Sequence, residues 1–490
     1  NVPVSLIEAD FKKAKEAGIN VFRIWSVDPD DTKTVEILTE MARKYGIYLL
    51  IVLDHPSSFT TSSFYQARVK RHAQTWGKEP MVLGYDLANE PDLQRIGGIR
   101  YNGSSTPVLR LAAYETMEDL INRSTVERDV ANNAYPGFPQ GTTHQDNLNL
   151  RAAFHLWQKF VAQYTSGGSD YSTFPDYKGD FEPDSTSESV FEAVNQSFQQ
   201  WISMIKEVLD TYCPHQFITV GYDQSLVLLP ANDQLDFANH HVYQRPTSYE
   251  NVVKNLTTMD RLRLRFPNKP ISFGYSSGLM MPDGEFMDPY TAAVGELMFY
   301  LYAFAHDYSG VMVWMLNERP IPNMRHNELW MQAADLRGEE RFGMYYYDGT
   351  LTGKPKPIAH AVRFFRRYAD QFEPGIGTMT ITRAKTRMGA GYVYEGTNAL
   401  FVGDTCYVTD DVDFKSDRAA NLMMIWNDTT LEIMSTADSK VGLRLSSFLG
   451  DVNLDSVNVV GSAGGIKMSD DFVFINLLEG ETITIRKGGF

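Results

Sequence analysis

Two near-continuous apolar runs of strand length, Tyr48–Asp54 and Val82–Ala88, sit between segments with helical periodicity. A strand that reads as apolar throughout is buried on both faces, which is the condition of strands in a parallel sheet covered by helices. That one feature limits the first three-quarters of the chain to βαβ units. The rest of this stretch follows the same rhythm. Leu6, Ile7, Phe11 and Ala14 recur at helical spacing over residues 5–17, and Gly18 ends the run. Further strands are predicted at Ile19–Trp25, Phe217–Gly221, Asp236–Tyr243, Pro270–Tyr275 and Gly310–Asn317. Helices are predicted at Thr32–Tyr45, Phe64–Trp76, Ser189–Tyr212, Tyr249–Phe266, Pro289–His306 and Ile358–Phe372.

Seven strands in a βα register that closes on a helix predict an α/β fold, a (β/α)8 TIM barrel over 1–372. Its first strand, with any export signal, is expected upstream of Asn1, because the chain enters a helix with no strand before it. An open doubly wound sheet is the structural alternative, but no Gly-rich phosphate loop follows any of the strands. Residues 92–187 interrupt the rhythm as a long insertion, with helical pieces near Val108–Asn122 and Leu150–Tyr164. From 375 to 490 the texture changes to short strand-like runs between turn residues, which predicts a C-terminal all-β sandwich. The runs are Thr378–Arg383, Ala399–Val402, Ala420–Trp426, Leu431–Thr436, Val441–Leu445, Asp455–Val460, Phe472–Asn476 and Thr482–Arg486.

The balance of charges narrows the partners. A formal net charge of −16 argues against nucleic acid and anionic membrane, both of which demand basic patches. The apolar runs are too short to span a bilayer. The two cysteines, Cys213 and Cys406, form no metal-ligand spacing and read as free thiols, and no metal or cofactor is implied. Aromatic residues make up 12% of the chain, which suits a large core or a cleft whose ring faces stack on sugars.

A barrel of this kind carries its chemistry at the C-terminal ends of its strands. Those ends present Arg23 and Trp25, Asp54-His55, Asn89-Glu90-Pro91, His240-His241-Val242-Tyr243, Tyr275-Ser276-Ser277-Gly278, and Trp314 with Asn317-Glu318 beyond it. Polar and aromatic residues at the same end of six strands are hard to attribute to packing. The set resembles the large clan of retaining glycoside hydrolases, and is most similar to glycoside hydrolase family 5, over residues 1 to about 372. The resemblance implies that Glu90 is the acid/base on the fourth barrel strand and that Asn89 binds the sugar 2-hydroxyl. It matches Arg23 to the arginine near the nucleophile and His55 to the third-strand histidine. His241 and Tyr243 match a His-x-Tyr pair, and Trp314 matches the sugar platform.

The chemistry supports that assignment independently. Retaining glycoside hydrolysis uses two carboxyl groups about 5–5.5 Å apart, one as acid/base and one as nucleophile. Arg23 would keep the second carboxylate ionised, and Tyr243 would orient it. Here the chain departs from the pattern. Pro270–Gly278 contains neither Glu nor Asp. Laying the usual Glu-x-Gly on this segment puts the missing carboxylate at Ser276, whereas counting from Pro270 points to Tyr275. Two explanations are open: a deliberate replacement of the nucleophile, or a protein that binds glycan without cleaving it.

The expected partner is a β-1,4-linked glucan or mannan, or an oligosaccharide from one; an exo-acting β-glycosidase or β-galactosidase of the same clan is the alternative. Trp330 is a further stacking candidate, and the insertion's aromatic residues, among them Trp157 and Tyr171, are candidates to wall the cleft. The bland expectations are equally specific. Glu318 reads as solvated or paired with Arg319, Glu285 and Glu296 as surface residues, His240 as a packed core histidine and Asp54 as structural.

Overall fold

The computed structural model describes residues 3–25, 27–53, 63–91, 100–101, 107–108, 188–223, 225–243, 248–276, 287–318, 342–346, 353–452, 457–461, 465–469 and 472–487. Two helices open the α/β part, α1 (Val4–Glu16) and α2 (Thr32–Tyr45), separated by β1 (Val21–Ile24). Both helices stop where Gly18 (φ 81°) and Gly46 (φ 66°) adopt the left-handed backbone that a side chain disfavours. The order continues with β2 (Tyr48–Val52), α3 (Ser63–Trp76), β3 (Val82–Asn89), α4 (Glu188–Tyr212), β4 (Phe217–Tyr222), β5 (Ala238–Tyr243), α5 (Tyr249–Arg265), β6 (Ile271–Ser276), α6 (Pro289–Ala305), β7 (Gly310–Val313) and α7 (Pro357–Ala369).

The seven strands form one sheet in chain order, β1 through β7. The β1–β2, β2–β3, β3–β4, β4–β5 and β6–β7 pairs run parallel. Leu49 to Leu53 and Leu87 are 0–6% exposed, as strands covered on both faces require. This is the sheet of a (β/α)8-type barrel with its helices. Its strands and helices follow the sequence expectation closely, and the short helical turns Ser225–Leu228 and Pro230–Gln234 replace a full helix between β4 and β5.

The C-terminal part is an antiparallel sandwich of β8 (Thr378–Arg383), β9 (Ala390–Gly396), β10 (Ala399–Val408), β11 (Val412–Trp426), β12 (Thr430–Ser435), β13 (Ser439–Arg444), β14 (Asn458–Val460), β15 (Ile466–Ser469), β16 (Phe472–Leu477) and β17 (Thr482–Arg486). The long strand β11 makes the corner. Its first half pairs with β13 and its second half with β12, so one chain segment serves both layers. A core of apolar residues from Leu400 to Ile485, including Phe414, Leu422, Leu431, Val441 and Ile475, fills the space between them.

The chain divides into two compact units. One holds Val21–Ala42 and Tyr48–His241; the other holds Asn1–Asn20, Arg43–Ile47 and Val242–Phe490. The first contains β1 to β4 and most of β5. Its core is anchored by Trp76, Trp201, Tyr85, Tyr222 and Phe198, all fully buried. In the second, α6 packs on α7 and against β8 to β11. That double cover corrects the expectation for Glu296, which is 3% exposed rather than a surface residue. Cys213 is buried, Cys406 is exposed, and both are free.

Candidate functional site

The site begins with an irregularity in β3. Asp86 aligns with Thr219 of β4, but Asn89 aligns with Gly221, so three steps on β3 face two on β4. Such a bulge re-aims the residues that follow it. Here they are Asn89 and Glu90, and Glu90 then adopts φ 47°, a left-handed conformation that costs a non-glycine residue on the order of 1 kcal/mol or more. The strained residue is held by its surroundings. Its backbone N–H donates to the carbonyl of Gly221 at 2.6 Å. Its carboxylate Oε1 lies 2.8 Å from Nδ1 of His241, a contact that holds one proton between the two groups.

Asn89 is fixed through its side chain. Nη2 of Arg23 donates to its Oδ1 at 2.8 Å, which turns the amide N–H end away from the guanidinium. Nε of Arg23 donates to Oδ2 of Asp86 at 2.7 Å, and Nη2 reaches the same oxygen at 2.6 Å. The other oxygen of Asp86 accepts the backbone N–H of Gly221 at 3.0 Å. The Asp86 side chain has 0% exposure, and that of Arg23 has 11%. The Arg23 guanidinium also lies 4.8 Å from the centre of the Trp25 ring.

Gly221 is glycine for a spatial reason. A Cβ there would lie 2.5 Å from Nε2 of His241 and 3.0 Å from Oδ2 of Asp86. The missing side chain is the space in which the imidazole of His241, itself 3% exposed, reaches Glu90. Next to it, His240 is packed in the core as expected. Burial, aided by repulsion from His241, pushes its pKa down to about 4, so it is neutral. At the end of β4, the Tyr222 hydroxyl donates to Oδ1 of Asn232 at 2.6 Å, and the Asn232 amide donates to the carbonyls of Leu226 and Val227. That network pins the turn between β4 and β5.

Of the residues chosen from sequence, Arg23, Asn89, Glu90 and His241 are thus brought together. Tyr243 ends β5, and Tyr275 and Ser276 end β6. Their side chains, together with His55, Asp54, Trp330, Glu285 and nearly all of the 92–187 insertion, lie outside the described residues. Trp314 follows β7, is partly buried, and its peptide bond to Met315 is cis. Glu318 pairs with Lys356 at 2.7 Å, and Arg319, the partner expected from sequence, lies outside the described residues. Sequence reasoning missed Asp86 and Gly221. The signal for Asp86 was a lone charge within an otherwise apolar run, because a buried carboxylate demands a paired cation. Among the described residues, no group of three His, Cys, Asp or Glu side chains is placed to hold a metal ion, and no helix is long and apolar enough to cross a membrane.

No family model and no curated protein matches the chain. Solved structures give distant likenesses. A β-galactosidase from Halorubrum lacusprofundi aligns at 12% identity with a TM-score of 0.46, over 78% of this chain and 58% of that one. A β-galactosidase from Marinomonas ef1 aligns at 10% identity with a TM-score of 0.43, over 76% and 58%. A GH5 subfamily 18 protein from Streptomyces cattleya, solved with Manβ1-4GlcNAc, aligns at 12% identity with a TM-score of 0.43, over 76% and 77%. The chain thus spans 58% of the length of either β-galactosidase.

Proposed function

We propose that this chain is a β-glycoside hydrolase barrel of the retaining type, acting on β-1,4-linked glucan or mannan, with Glu90 as acid/base and without its nucleophile. One observation carries the reading: a carboxylate at a strained strand end, hydrogen-bonded to His241, beside an asparagine whose side chain is oriented by Arg23. A general acid needs a group that holds and releases a proton, and the Glu90–His241 contact supplies one. Asn89 supplies a donor for a sugar hydroxyl, which strengthens as positive charge develops on the ring. Tyr243 would orient the nucleophile, Trp314 and Trp330 would stack on sugar rings, and His55 would add a polar contact. Neither a metal nor a cofactor has a part in this chemistry.

The second carboxylate is the missing part. With no Asp or Glu in Pro270–Gly278, the chain as it stands binds glycan and forms no glycosyl-enzyme intermediate. The test is Ser276→Glu and, separately, Tyr275→Glu, assayed with aryl β-glucoside, β-mannoside and β-galactoside. Hydrolysis by one variant, lost about 10²–10⁴-fold on adding Glu90→Gln, supports the reading. Two folded variants that hydrolyse none of the three overturn it and leave a glycan-binding protein, the reading favoured by the absent carboxylate. An α-glycosyl fluoride offered to the unmodified chain separates the two further, since transfer without hydrolysis marks a glycosidase lacking only its nucleophile.

A further inference from the structure

The contacts around Asp86 close into a ring. Asp86 Oδ2 accepts from Arg23, Arg23 Nη2 donates to Asn89, the peptide carries on to Glu90, the Glu90 N–H donates to the Gly221 carbonyl, and the Gly221 N–H returns to Asp86 Oδ1. We infer that Asp86 is the positioning residue of this site: it sets the amide of Asn89 and neutralises Arg23 beside Glu90. The inference deepens the glycosidase reading and rests on it only for the ligand.

Three features support the role. Asp86 is fully buried and ion-paired with Arg23, so stranding either partner is costly. Both of its oxygens are used, one on each arm of the ring. The bulge that re-aims Asn89 and Glu90 starts immediately after it. Among the described residues, the charged or titratable groups placed with Glu90 include His241, its 2.8 Å partner, and His240 on β5, with Arg23 on β1 joined to the adjacent Asn89 and Asp86 on its own strand joined to Arg23. Removing the charge of Asp86 alone therefore leaves Arg23 unopposed next to the acid/base. An unopposed cation favours the ionised carboxylate.

The test compares Asp86→Asn with the double variant Arg23→Gln/Asp86→Asn, which removes both charges together. Carboxyl-carbon NMR on the ligand-free chain follows the titration of Glu90. Asp86→Asn should move that titration to lower pH, by about one pH unit. The double variant should return it to within a few tenths of the parent. A double variant shifted as far as the single one, or a single variant with no shift, overturns the inference. If Asp86→Asn does not fold, the double variant must fold, because removing a buried pair is tolerated where stranding one charge is not; its failure to fold would count against the role.

A second readout uses ligand. The chain is titrated with phenyl β-glucoside, phenyl β-mannoside and phenyl 2-deoxy-β-glucoside. The preference for the better of the two 2-hydroxylated ligands over the 2-deoxy one should fall about tenfold in Asp86→Asn, whereas a merely structural role would weaken all three alike. If the chain binds none of them, the glycosidase reading fails while the NMR comparison still decides the role of Asp86.

Discussion

Gly221→Ala is the sharpest single test of how the site is assembled. The added Cβ would sit 2.5 Å from Nε2 and 2.7 Å from Cε1 of His241, and 3.0 Å from Oδ2 of Asp86. Neither neighbour can swing away cheaply. The imidazole is 3% exposed and tied to Glu90, and the carboxylate is wholly buried and tied to Arg23. Gly221 does not adopt a positive φ, so backbone strain contributes nothing and the effect is steric. Overpacking of a tight site costs about 1–3 kcal/mol. Pushing the ring off Glu90 also loses a charge-assisted hydrogen bond of about 1.5–3 kcal/mol, part of which relaxation recovers. The expected loss is about 2–4 kcal/mol, read as a lower urea midpoint at unchanged slope. The His241 imidazole resonances should shift at the same time. Gly310→Ala is the control. No atom lies within 4 Å of its added Cβ, and it should fall within about 0.5 kcal/mol of the parent or slightly above it. A Gly221→Ala protein as stable as the parent, with unchanged His241 resonances, would refute the packing argument.

Other consequences are as direct. Lys356→Met should destabilise by about 1.5–3 kcal/mol, because it removes the 2.7 Å ion pair to Glu318, which is only 16% exposed; Lys356→Met with Glu318→Leu should regain most of the loss in urea unfolding. His72, His240 and His360 are each held near pKa 4 by burial, below the ordinary histidine value. The unfolded chain therefore takes up these protons first, so the stability they contribute is complete above about pH 6.5 and is lost as pH falls toward 4. Urea midpoints at pH 7, 5.5 and 4.5 should show that decline, and His72→Leu should flatten it; a slope unchanged by His72→Leu would contradict the assignment. Arg383→Ala should cost under about 1 kcal/mol in the same assay, because Arg383 and Glu250 are 71% and 65% exposed.

The fold was legible where burial writes itself into sequence. β2, covered on both faces, spans five apolar or aromatic residues, and α1 and α2 end at glycines in the left-handed region. Two sandwich strands left no such signal, for opposite reasons. β9 carries Gly391 and Gly396, which read as turn residues, yet a Cβ on Gly391 would lie 2.2 Å from the carbonyl oxygen of Gly403 on the paired strand. β15 is exposed along its whole length and so has no apolar alternation to detect. At the site, Glu90, Asn89, Arg23 and His241 could be found because strand ends concentrate chemistry. Asp86 showed only as a lone charge in an apolar run; its partner could not be read, because Arg23 lies 63 positions away and only the parallel register of β1, β2 and β3 joins them. Glu296 breaks its expectation because residue type suggests a surface, whereas α6 is covered on both sides.

The same geometry alters the part that sequence had assigned to Arg23. A buried guanidinium must be neutralised, and the expectation was that a nucleophilic carboxylate would share that task. In this chain Asp86 performs it, with both hydrogen bonds to one oxygen of a fully buried side chain. Arg23 then directs Nη2 to Asn89 as well. The cluster is therefore electrically balanced from within β1 and β3, and it needs no further carboxylate to stay folded. On the proposed reading, such a balance strands no cation in a chain without the second acid. Introducing a carboxylate at Ser276 or Tyr275 therefore tests the proposed catalysis and not stability: Arg23 already has its counter-charge in Asp86, and the urea midpoint should not rise.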